Sequence, residues 1–85
     1  MERSAVDQPE TATRNFCDLY LSAALMAKGF CLVRAHRIGG RVTFEFEGQD
    51  LDAAVLAWTN RRLEANLADF THALDRLRTL TYQGV

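Results

Sequence analysis

Residues 41 to 47 alternate without a break, with Val42, Phe44 and Phe46 on one side of an extended chain and Arg41, Thr43, Glu45 and Glu47 on the other. Side chains along a strand point to opposite faces in turn, so this is a strand with one face on a core and the other in water. Gly39-Gly40 stands directly before it, and a glycine pair tolerates the positive φ angles that tight hairpin turns need. Phe30 to Ile38 then reads as the first strand of a hairpin. Its register is set by loop parity, because a one-residue slip exchanges the two faces. An even loop, either Gly39-Gly40 or residues 37–40, places Cys31, Val33 and Ala35 beside the phenylalanines and sends Leu32, Arg34 and His36 outward. An odd loop buries Arg34. The even loop is therefore expected, with Arg34 near Thr43 or Glu45.

Helical periodicity surrounds the hairpin. Phe16, Leu19, Tyr20, Ala23, Met26 and Ala27 recur at helical spacing up to Lys28, and Gly29 follows where a left-handed cap is wanted. Asn15 or Thr13 is the expected N-cap, with Asp18 in the first turn. Leu21, Ala24 and Leu25 carry the apolar surface almost around this helix, so it should be covered on more than one side. Downstream, Asp50 caps a second helix with Leu51, Ala54, Val55 and Trp58 on one stripe, running to about Asn60. Arg61 to Ala65 connect it to a third. Asn66 and Asp69 form a capping arrangement there, Leu67, Phe70, Ala73, Leu74 and Leu77 face inward, and the helix ends near Tyr82. The order is α-β-β-α-α: an α+β domain over residues 14–83, a two-stranded antiparallel hairpin packed on three helices, after a flexible tail over residues 1–13.

An 85-residue chain holds one core. With 48% hydrophobic and 25% charged residues it is globular, and ten Lys and Arg against eleven Asp and Glu give a net charge of -1, so no overall field draws it to nucleic acid or membrane. The apolar stretch Leu19 to Ala27 has about half the length a bilayer requires, and the first residues carry Glu2, Asp7 and Glu10 with no apolar run. A cytoplasmic protein without a membrane association is expected. In that reducing setting Cys17 and Cys31 read as free thiols filling the core.

The segment Asp18-Leu19-Tyr20-Leu21, with Ala23, Ala24, Leu25, Ala27, Lys28 and Gly29, the turn Gly39-Gly40-Arg41-Val42 with Phe44 and Phe46, and Leu67-Ala68-Asp69-Phe70 with Ala73-Leu74-Asp75-Arg76-Leu77 together resemble a family of short uncharacterised bacterial and phage-associated proteins that share a domain of unknown function. The resemblance spans roughly residues 16 to 82 and involves mainly core and turn positions. It implies a bacterial or mobile-element setting, and no catalytic or binding residue comes with it.

No pattern points to an enzyme. His36 and His72 are far apart and neither lies in a cysteine or histidine cluster, so no metal or other cofactor is expected. No flanking motif marks Cys17 or Cys31 as a nucleophile, Glu45 and Glu47 read as the wet side of a strand, and Gly39-Gly40 lacks the strand-to-helix context of a phosphate loop. No small-molecule substrate is evident. Two readings remain. A lone hairpin has two open edges, and with the all-round apolar helix this favours a non-catalytic protein-interaction module that forms a homodimer or docks on another protein. The alternative is a nucleic-acid-binding accessory or regulatory protein, because residues 30 to 41 hold Arg34, His36, Arg37 and Arg41 without an acid and Arg61 and Arg62 add charge. These six are the candidate contact residues in either case.

Overall fold

A computed structural model of the chain describes residues 13–83. Its elements run β1 (Thr13–Phe16), α1 (Leu19–Ala27), β2 (Cys31–Ile38), β3 (Arg41–Glu47), α2 (Leu51–Thr59) and α3 (Leu67–Tyr82). The class is α+β as expected, but the sheet has three antiparallel strands in the order β1-β3-β2 rather than the two of a lone hairpin. The added strand comes from residues expected to cap or begin a helix: Thr13 pairs with Glu47, Arg14 with Phe46, Asn15 with Glu45 and Phe16 with Phe44. Apart from Thr13, the expected tail over 1–13 lies outside the described residues.

Strand β3 is therefore central, and the expected alternation holds: Val42, Phe44 and Phe46 are buried. The Ile38 to Arg41 pair closes a two-residue loop. Gly39 at φ 58 and Gly40 at φ 81 supply the two positive angles of a type I′ turn, which matches the twist of the flanking strands. Ala35 lies opposite Phe44 as the even loop requires, and Arg34 lies opposite Glu45. The register then shifts at Val33, between Leu32 and Arg34. A bulge inserts one residue and exchanges the faces beyond it. Leu32, expected outside, pairs with Phe46 and packs on the core, whereas Cys31 pairs with Glu47 and is exposed, and Val33 is 39% exposed. The larger apolar side chain takes the buried place.

Asp18, not Asn15 or Thr13, caps α1: its Oδ1 accepts from the amides of Tyr20 and Leu21 at 2.9 and 3.1 Å. At the far end the Phe30 amide donates to the Leu25 carbonyl and the Gly29 amide to the Met26 carbonyl, the paired bonds of a Schellman stop with Gly29 left-handed. Five consecutive residues, Leu21 to Leu25, are buried, more than a full turn. The middle of the helix is enclosed all round, while Tyr20 in its first turn is 50% exposed. One of the five is Ser22, whose Oγ has no hydrogen-bond partner among the described residues.

Helix α2 buries Leu51 and Ala54. Asp50 stands at its N-cap position but in a left-handed conformation with no side-chain capping bond, a departure from the expected cap. Asp52 in the first turn instead pairs with Arg14, tying α2 to β1. On α3, Asn66 caps as expected by accepting from the Asp69 amide at 3.0 Å. Ala73 and Leu77 are buried and Phe70, Leu74 and Leu80 pack around them, but Leu67 is exposed. It occupies the first helical position, from which the side chain points back past the helix start. Phe16 tilts against Phe46 at 6.3 Å between ring centroids, so the strand that joins the sheet also joins the core.

Phe44→Ala is expected to lower unfolding free energy by about 3–5 kcal/mol through the cavity it opens. Ser22→Ala should move the other way by about 1 kcal/mol, because it removes a buried hydroxyl with no partner and improves helix propensity. Urea denaturation midpoints of opposite sign relative to the parent check both.

Candidate functional site

The three strands present one face to the helices and one away from them. On the outer face, Arg34 Nε donates to Glu45 Oε1 at 3.0 Å, with the Arg34 side chain 66% exposed and that of Glu45 16%. This pair follows from register, since the two residues are cross-strand partners. His36 lies opposite Thr43 on the same face, half-buried, and its Nδ1 is buried without a hydrogen-bond partner among the described residues. Cys17, in the link between β1 and α1, approaches Thr43 from the other side, with Sγ 3.6 Å from Oγ1. Thr43 itself is buried. The outer face thus carries a cross-strand row of thiol, hydroxyl and imidazole, next to a row of Asn15, Glu45 and Arg34.

Both cysteines were expected in the core, and both are exposed. Cys17 falls in a connection, and the shift at Val33 turns Cys31 outward. Among the described residues no group of three His, Cys, Asp or Glu side chains is placed to hold a metal ion.

The basic residues do not converge. Arg41 is opposite Ile38 and shares the outer face with Thr43, but Arg37 is opposite Val42 and so belongs to the inner face. The Arg37 guanidinium donates to the Gly40 carbonyl at 3.4 Å, across the turn. Arg34 and Arg37, which look equivalent in the sequence, are thus divided between a carboxylate and the loop backbone. Arg61 and Arg62 lie in the connection after α2, away from the strands in the chain, and both are exposed.

That connection holds a feature with no sequence signal. The Arg62 amide donates to the Ala57 carbonyl at 2.7 Å and the Arg61 amide to the Trp58 carbonyl at 3.0 Å, the same paired stop that ends α1. Here the left-handed position, at φ 60, is held by Arg61 where α1 has a glycine. Arg61 also lines an open cavity of about 650 Å³ with Trp58, Thr59 and Leu63.

The edge of β2 is the other feature hidden in the sequence. Seven of its eight residues pair with β3, all but the bulged Val33, the strand has a neighbour on one side only among the described residues, and it exposes Val33 and Ile38, the latter at 58%. No described helix is long and apolar enough to cross a membrane.

Comparison with family models, with curated proteins and with solved structures finds no match for this chain. One consequence of the geometry is open to direct measurement. A side chain in the left-handed region costs about 1 kcal/mol relative to glycine, so Arg61→Gly is expected to stabilise the protein by about that amount and to raise Tm by roughly 4–8 °C in calorimetry.

Proposed function

We propose that this protein is a small non-catalytic interaction module that self-associates through the outward edge of β2, in the bacterial or mobile-element setting that the family resemblance implies. The observation that carries this reading is the eight-residue edge with Val33 and Ile38 exposed along it. An edge strand offers a row of unpaired backbone donors and acceptors, and apolar side chains along it add area once it is paired. A second copy is the natural occupant, because an antiparallel pairing of one strand with itself is two-fold symmetric and each residue meets its match in both copies. The core formed by Val42, Phe44 and Phe46 with the helices lies on the inner face and does not draw on that pairing.

Nucleic-acid binding is less well supported. Arg34 is occupied by Glu45, while Arg37 and Arg41 fall on opposite faces of the hairpin, so they do not present a single positive stripe to a phosphate backbone.

Sedimentation equilibrium is expected to report a dimer for the parent and a monomer for Val33→Lys/Ile38→Lys, with unchanged circular dichroism because both positions are exposed. A parent that remains monomeric over the concentration series refutes self-association. The same preparations titrated with single- and double-stranded DNA and RNA should show no salt-dependent complex. A tight complex whose salt slope flattens in Arg37→Ser/Arg41→Ser transfers the assignment to nucleic acid.

A further inference from the structure

The cavity at the end of α2 combines three unlike surfaces. Trp58 and Leu63, both half-buried, supply apolar walls, Thr59 a hydroxyl and Arg61 a guanidinium. Its volume of about 650 Å³ lies inside the range of roughly 300–1,000 Å³ found for small-molecule sites. Thr59 Oγ1 donates to the Val55 carbonyl at 3.1 Å, so its lone pairs still accept but its proton is used. The polar character of the cavity therefore comes mainly from Arg61.

One fact singles that arginine out, its backbone conformation, and a second, shared with several other arginines, leaves its charge available. Among the described residues its guanidinium has no ion pair, in contrast to Arg14 and Arg34. Its backbone adopts the left-handed conformation that α1 gives to Gly29, so the helix stop alone favours a glycine at this place. Conformational strain of this kind persists where a side chain has work to do. The residue in this left-handed position is one of the four that line the cavity. Of the last carbonyls of α2, those of Leu56, Ala57 and Trp58 accept from the amides of Asn60, Arg62 and Arg61, so the anion's attraction to this helix end has to come from the guanidinium. Arg61 is the one charged residue among the four that line the cavity.

We infer that this cavity is a binding site for a small planar aromatic carboxylate, with the ring between Trp58 and Leu63 and the carboxylate on the Arg61 guanidinium. A guanidinium fork matches a carboxylate in two parallel hydrogen bonds, and an indole beside it favours a flat apolar body. The site is separate from the β2 edge and stands whether or not the protein dimerises. Phosphate shares the preference for guanidinium, so an aromatic phosphate is the competing source of the same chemistry.

Trp58 is the single tryptophan, and its indole N–H gives one resolved signal in a proton–nitrogen correlation spectrum. Titration of the full chain with 2-naphthoate should shift that signal saturably. The neutral analogue 2-naphthalenemethanol should bind about tenfold or more weakly, and Arg61→Gly and Arg61→Gln should each lose that discrimination. Arg61→Gly relieves backbone strain and Arg61→Gln retains it, so loss in both traces to the guanidinium and not to folding. Absence of a saturable shift, equal affinity for acid and alcohol, or unchanged selectivity in the variants overturns the proposal. A stronger response to adenosine monophosphate than to naphthoate overturns the carboxylate assignment.

Discussion

Everything in this fold depends on β3 being hydrogen-bonded on both sides while Val42, Phe44 and Phe46 face the helices. A two-stranded ribbon is marginal in water, and a third strand converts the phenylalanine face into a surface broad enough to hold a helix. Helix α1 takes that place and is enclosed over more than one turn, so the sheet and α3 share it as a common filling. The Schellman stop at Gly29 then turns the chain sharply and delivers Phe30 and Leu32 back to the same core.

Much of this was legible because local and global signals agree there. The alternation of β3, the paired glycines, the Asn66 cap and the spacing of α3 each encode one conformation without help from distant residues. Where the reading fails, a tertiary term has prevailed. Thr13-Arg14-Asn15-Phe16 has no strand signature of its own: it is polar, short and contains one large apolar residue whose spacing also fits the following helix. What makes it a strand is the vacant side of β3 and the gain from setting Phe16 on Phe46. The bulge at Val33 is equally silent. Period-two reasoning assumes a continuous ladder, and burying Leu32 in place of Cys31 and Val33 outweighs one disrupted pairing.

The candidate contacts were legible as residue types but not as an arrangement. A string of arginines in a hairpin reads as one patch, yet strand geometry distributes it over two faces and register hands Arg34 to Glu45. Arg61 appears in the sequence as one of two adjacent surface charges. Its distinction lies in a backbone angle, and a left-handed helix stop is normally announced by glycine or asparagine, so its occupation by arginine leaves no trace in pattern or composition.

The two flanks of the sheet are unequal among the described residues, and that inequality would limit how large an assembly formed by the proposed strand pairing could grow. The flank formed by β1 offers four residues and is drawn toward α2 by the Arg14 to Asp52 pair, whereas the β2 flank is twice as long. Fibre growth by strand addition needs two adhesive flanks, so that each arriving copy leaves a fresh one exposed. With one long flank among the described residues, a first partner there would consume the growing end. Under the proposed association, sheet addition would be self-terminating, a closed pair in place of a filament.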